Sequence, residues 1–234
     1  TPAHGAENLS HRPVVAGAGP AGLFCAWLLA REGYRPLLLE RGAPVEERIR
    51  DVEAFWKGGP LDPESNVQFG EGGAGTFSDG KLNTLVKDVR GRNRLVLEAF
   101  VRFGAPEQIL YEQKPHIGTD ILSRVIRNLR EEIRQSGGEI RFHSRLTGLT
   151  CAENAKGRSL RQITVNDMEE IPAEVLVIAV GHSARDTFRM LLDSGIPTQA
   201  RAFAVGVRVE HPQQMMQKVQ YGSCWAGKLP AASY

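Results

Sequence analysis

The stretch Val14–Glu40, VVAGAGPAGLFCAWLLAREGYRPLLLE, decides the fold. A short apolar run, Arg12–Ala16, leads into Gly17-Ala18-Gly19-Pro20-Ala21-Gly22. Pro20–Arg31 is then apolar at helical spacing, and Arg35–Glu40 forms a second apolar run. The reading is strand, helix, strand, with G-x-G-x-x-G at the first junction. Each glycine has a physical task there. Gly17 makes the tight turn, Gly19 lets backbone approach a pyrophosphate, and Gly22 permits close helix-strand packing. The helix N-terminus adds free N–H groups and the positive end of a dipole. Glu40 closes the second strand 18 residues after Gly22. A carboxylate there accepts from ribose hydroxyls and disfavours a 2′-phosphate, so NADP is not expected at this site. The nucleotide is then NAD or the ADP half of FAD, since both use the same grip.

Outward from this unit, Ala43–Lys57 has helical periodicity and stops at Gly58-Gly59-Pro60. A glycine-rich loop, SNVQFGEGGAGTFSDGKL, runs from Ser65 to Leu82. Arg92–Phe103 and Thr119–Gln135 read as amphipathic helices, the second ended by Gly137-Gly138. Short runs follow at Glu139–His143, Leu146–Cys151, Leu160–Val165 and Val175–Val180. The first and last suit parallel strands and the middle two an antiparallel meander. Ser183 and Asp186 have the spacing of a capping box for a helix over Ala184–Leu192. A last strand is expected at Phe203–Glu210. The expected fold class is α/β: a Rossmann-like, doubly wound parallel sheet with helices and a β-meander in three layers. The expected division is a flexible segment 1–12, a dinucleotide-binding domain 13–210, and the start of an incomplete substrate-side region 211–234.

Composition narrows the function classes. With 41% hydrophobic and 24% charged residues in 234, the chain has the make-up of a globular domain. Lys plus Arg number 29 against 27 Asp plus Glu, a net of +2, which offers no field for nucleic acid or an anionic membrane. Cys25, Cys151 and Cys224 contain no C-x-x-C pair, which argues against a disulfide framework or a cysteine zinc site and for the cytoplasm. No metal site is expected. The uncharged stretch Val14–Ala30 carries too many glycines for a signal peptide, and it is too short to span a bilayer.

The blocks GAGPAGLFCAWLLAREGYRPLLLERG, SNVQFGEGGAGTFSDGKL, KPHIGTDIL, VIAVGHSARDTFRML and FAVGVRVEHP together resemble a family of bacterial FAD-dependent dehydrogenases with no agreed substrate. The resemblance spans Pro13–Gly222. The order of elements is similar to that of glutathione-reductase-type flavoproteins. It implies FAD as cofactor and redox chemistry, with NAD(P)H as a candidate electron donor. It also implies pyrophosphate at Gly17, Gly19, Pro20, Ala21 and Gly22, and adenosine ribose on Glu40 with Arg41 beside it. Adenine would meet the backbone near Leu146. Gly72, Gly73 and Thr76, with Phe77 and Ser78 next to them, would lie along the pyrophosphate and ribityl chain, and Ala179-Val180-Gly181 would form the turn near the flavin nucleotide. Two departures matter. The glycine loop has no cysteine, which removes dithiol chemistry. Nothing after Glu210 looks like the Gly-Asp strand and final helix that complete a flavin site, so the chain is expected to be a fragment of a larger protein.

For acid-base work the candidates are His116 and His182, each beside a turn expected to approach the flavin, and for charge stabilisation of a reduced flavin or a substrate carboxylate they are Lys81 and Arg185. Two motifs are decoys. Gly75–Lys81 nearly spells a phosphate loop, but Leu82 stands where magnesium needs Ser or Thr. Gly181–Arg185 nearly spells a nucleophile elbow, but Arg185 stands where packing needs Gly, and Ser183 is read as a helix cap. Two other functional readings stay open: an NAD-binding dehydrogenase using the single Rossmann site, and a non-catalytic nucleotide-binding module.

Overall fold

The computed structural model describes residues 5–77, 80, 82, 87–112, 117–154, 157–203, 205–207, 209–223, 229 and 231–232. It divides into two units, Thr1–Pro197 and Thr198–Tyr234.

The first unit is built on four parallel strands, β1 (Val14–Ala16), β2 (Leu37–Leu39), β3 (Glu139–Arg141) and β7 (Leu176–Ile178), in the order β3-β2-β1-β7. Val14 aligns with Leu37 on one side and Leu176 on the other. Successive strand residues face opposite ways, and the sheet uses both faces. Val15, Leu38 and Ile140 pack with Leu23, Ala26 and Trp27 of α1 (Pro20–Arg31) and with Val125, Leu129 and Ile133 of α4 (Thr119–Gln135). Ala99 and Phe103, at the end of α3 (Arg92–Arg102), extend that core. On the opposite face, Val14, Ala16, Leu37 and Leu39 meet Leu146, Ile163 and Val165. Those residues come from the antiparallel sheet β4 (Leu146–Asn154), β5 (Gly157–Val165) and β6 (Glu169–Pro172). Leu37, Leu38 and Leu39 are all essentially inaccessible to solvent. Each such burial contributes roughly 1.5–3 kcal/mol. This is the three-layer α/β arrangement that the sequence predicts, with helices on one face and the meander on the other.

Several elements differ from expectation. Strand β6 is not foreseen, since EEIP alternates too briefly to register. Helix α2 begins at Val45, after Pro44, and ends at Trp56. The Ser183/Asp186 capping box does not form: α5 (Arg185–Asp193) has Ala184 at its N-cap and no side-chain cap. Asp186 instead bonds Arg41, a stronger, charge-assisted partner. The segment at the N-terminus read as flexible is tied down at its end, where Arg12 donates to the Arg35 and Pro36 carbonyls and to Glu139.

In the second unit, the described residues of 203–210 form no strand, contrary to the alternating pattern. Phe203, Val205, Val207 and Val209 are exposed. Alternation marks a chain suited to a ladder but does not supply the partner strand. A helix that the sequence analysis missed, α6 (Gln213–Tyr221), follows.

Candidate functional site

Between the C-terminal ends of β1 and β2, the start of α1 and the turn after β7 lies a cavity of about 250 Å³. Gly17, Gly19, Pro20, Ala21, Glu40, Arg41, Gly73, Leu146, Ala179, Gly181 and His182 line it, so eleven sequence-expected residues converge from five parts of the chain. Its place beyond the carboxyl ends of parallel strands is the general ligand position of open α/β sheets.

The glycines behave as the motif requires. Gly17 has φ +101°, a left-handed conformation that side chains disfavour, and a Cβ there would collide with the Ala179 carbonyl. A Cβ on Gly22 would fall on the Gly17 carbonyl oxygen, so Gly22 packs the helix onto the turn and does not line the cavity. Gly19, the N-cap of α1, carries no side-chain cap. Pro20 has no N–H to leave unpaired, and the Ala21 and Gly22 N–H groups in the first turn have no intrahelical acceptor. Donors and dipole therefore face a pocket that any side chain at Gly17 would disturb. That is a cradle for an anion, and it fits the pyrophosphate of a dinucleotide. At about 250 Å³ the cavity is below the ~300–1,000 Å³ of a small-molecule pocket.

Glu40 is placed differently from a simple ribose acceptor. Its buried carboxylate accepts from three backbone N–H groups: Ala18 (2.7 Å, to Oε2), Gly42 (2.9 Å) and Gly70 (3.0 Å, both to Oε1). A carboxylate offers about four acceptor positions. The first claim on Glu40 is structural, knotting the fingerprint turn, the end of β2 and the glycine loop together.

At the mouth, Arg41 forks onto Asp186 (2.5 and 3.0 Å) and reaches Glu64 (2.7 Å), with its guanidinium 4.3 Å from the centre of the Phe69 ring. Burial pulls its pKa down, but the bonds to Asp186 and Glu64 outweigh this and hold it above the ordinary arginine value. The same contact with Arg41 holds Asp186 below the usual carboxylate range. Arg145 joins Glu64 (3.1 Å) and Asp186 (3.5 Å) from the far side.

The glycine loop splits the remaining expectations. Gly72 and Thr76 are buried and do not line the cavity: Gly72 donates to the Ala18 carbonyl, and Thr76 lies under the loop beside Arg48. Both support the wall from behind. Gly73 does reach the cavity, its backbone against Gly19. Of the candidate catalytic residues, His182 is exposed at the cavity edge, its Nε2 3.4 Å from Ser183 Oγ. Arg185 opens α5 outside the cavity lining. Lys81, His116 and Ser78 lie outside the described residues.

The sequence analysis missed Gln68, Phe69, Gly70, Ala74, Ser144, Arg145 and Thr187 in the lining. It also missed two buried charges behind it. Arg48 is fully buried on the Val45-Arg48-Val52 face of α2, and burial lowers its pKa to about 10. Glu71 is fully buried, accepting from the Val45 N–H (2.8 Å) and from Arg130 (2.8 Å). Burial raises its pKa to about 7 against the pull of Arg130. An arginine on the apolar stripe of a helix was the signal available for the first, and a lone acid among glycines for the second.

Comparison with known proteins agrees with the geometry. Residues 15–61 match the model of an NAD(P)-binding Rossmann-like domain, and residues 202–234 match that of a FAD-dependent protein, C-terminal domain-like. The resemblance to FAD-dependent proteins holds. FAD is the cofactor to which it points. An uncharacterised protein of Clostridium beijerinckii is 51% identical over 231 residues, 98% of this chain and 42% of that protein, so this chain spans about two fifths of its relative. Thermovibrio ammonificans THI4 shares the fold, with 17% identity, a TM-score of 0.51, and coverage of 79% of this chain and 62% of that one. Among the described residues no helix is long and apolar enough to cross a membrane. Nor does any group of His, Cys, Asp and Glu among them have an arrangement that could hold a metal ion.

Proposed function

We propose that this chain is the adenosine-diphosphate-gripping part of a flavoenzyme that oxidises or reduces a small organic substrate. The observation that carries the reading is the uncapped N-terminus of α1, aimed with Gly17 and Gly19 into a cavity closed by Ala179 and Gly181. When bound, FAD supplies hydride transfer, with NAD(P)H or a quinone as the electron partner.

The protein's own residues bind and orient. The Ala21 N–H group and the positive end of the α1 dipole hold the pyrophosphate, and the fourth acceptor position of Glu40 takes a ribose hydroxyl. The Leu146 backbone meets adenine. Phe69, stiffened by Arg41, makes an apolar wall. The Arg41–Asp186 and Arg145–Glu64 pairs ring the mouth and screen those contacts from water. His182, at the edge, is the described residue placed to hold or move a proton. Arg185, Lys81 and His116 belong to this proposal through the sequence alone.

The test is the visible absorption spectrum of the purified chain and of the full-length protein, followed by heat release and identification of the chromophore. A yellow full-length protein releasing FAD is expected. A colourless full-length protein that binds NAD and refuses FAD overturns the reading and favours the NAD-dependent alternative.

A further inference from the structure

We propose that Arg48 is the positioning residue of the cofactor cavity, its guanidinium holding the glycine loop in binding shape before any cofactor arrives. This rests on the reading of the cavity as a dinucleotide site. Arg48 sits behind the loop, and five of its partners among the described residues are carbonyl oxygens. Nε donates to Asn66 (2.9 Å), and Nη2 donates to Val67 (3.0 Å). Nη1 is shared among Gly70 (3.2 Å), Glu71 (2.7 Å) and Gly73 (2.9 Å), with Thr76 Oγ1 at 3.5 Å. Residues 66–73 form no helix or strand. The Gly70 and Gly73 carbonyls also accept from the Gly73 and Thr76 N–H groups, whereas those of Asn66, Val67 and Glu71 have no ladder of their own and need another donor once buried. One planar fork reaches all five. Lysine, with three donors on one nitrogen, cannot span the same set.

The opposite side of the same loop is the cavity wall, where Gln68, Phe69, Gly70 and Gly73 are lining residues. Carbonyls drawn to Arg48 turn the peptide planes so that their N–H groups meet other acceptors: Gly70 donates to Glu40, Glu71 to the Ala43 carbonyl and Gly72 to the Ala18 carbonyl. Two of those acceptors belong to the dinucleotide-binding half, Ala18 in the fingerprint and Glu40 at the end of β2. The loop is thus clamped between a cation behind and the fingerprint in front. Gly70 is required for the approach, since a Cβ there would meet the Arg48 side chain. Phe77 closes over the guanidinium at 4.9 Å.

The test uses the full-length protein stripped of cofactor. In the wild type, the N–H groups of residues 70–72 are expected to exchange with deuterium at least about tenfold more slowly than in Arg48→Lys. FAD affinity, read by quenching of flavin fluorescence, is expected to fall at least about tenfold in the same variant. Methylguanidinium, which fits the space left in Arg48→Gly, is expected to restore both. Equal exchange in wild type and Arg48→Lys overturns the proposal, as does unchanged FAD affinity in a variant whose loop exchanges fast. Should the variants not fold, wild-type exchange decides: residues 70–72 must be protected without cofactor, and their lack of protection overturns the proposal. If the wild type binds no FAD, the reading of the cavity fails, and the exchange comparison still shows whether Arg48 shapes the loop.

Discussion

The Glu40 carboxylate accepts from the N–H groups of Ala18, Gly42 and Gly70 and so joins segments that lie up to 30 residues from it on either side in sequence. Glu40→Gln keeps the shape but turns one acceptor into a donor facing a donor. The expected cost is about 1–3 kcal/mol in the cofactor-free protein, the penalty of a buried unsatisfied polar group. Urea unfolding measures it, and unchanged stability would return Glu40 to the ribose alone. Gly22→Ala places a methyl group on the Gly17 carbonyl. It is expected to destabilise by about 1–3 kcal/mol, the cost of overpacking, and to abolish cofactor retention, read in the same melts and in flavin content. The fingerprint glycines were legible because their work is local: a turn, an approach, a helix start. The partners of Glu40 were not, because Gly70 arrives from another element and the sequence holds no mark of the pairing.

At the scale of elements, α2, the glycine loop and α4 are locked by a buried charge cluster. Arg130 of α4 bonds Glu71 at 2.8 Å and Glu46 of α2 at 2.6 Å. Burial raises the Glu71 pKa to about 7 in the fold, whereas Arg130 overcomes burial to keep Glu46 below the ordinary range. With its folded pKa above its unfolded one, Glu71 binds a proton more tightly in the native state between pH about 4.5 and 7. Its contribution to stability is therefore full at the acid end of that window and lost as pH rises through it, by roughly 3 kcal/mol at ~1.4 kcal/mol per pH unit. Glu46, Asp186 and Glu139, all with lowered pKa values, act oppositely and lose their contribution as pH falls below the ordinary carboxylate range. Denaturant midpoints from pH 4.5 to 8 should fall with rising pH in the wild type and flatten in Glu71→Gln. An equal slope in both would remove Glu71 as the cause. Capping shows the same limit of local reading: Ser183 and Asp186 have the spacing of a box, but Arg41 lies close enough to take the carboxylate. The box is a weak local bond and the arginine a charged one, so the tertiary partner wins.

For the whole molecule, both apolar cores lie within residues up to Pro197. A chain of residues 1–197 is accordingly expected to unfold in one cooperative step, with tryptophan fluorescence and far-ultraviolet circular dichroism giving coincident transitions. Separate transitions would mean that the meander and the helical layer melt independently. The sequence by itself determined the strand-turn-helix unit, the apolar layers and the glycines of the grip, since periodicity and glycine geometry act over a few neighbouring residues. Only the tertiary structure decided that Arg48 organises the loop, that Glu40 serves three backbone groups before any ligand, that Arg41 and Arg145 share Glu64 and Asp186, and that the described residues of 203–210 do not pair as a strand. The physical reason is the same in each case. A buried charge or an unpaired strand edge is satisfied by groups distant in the chain, and which groups those are depends on how the layers meet.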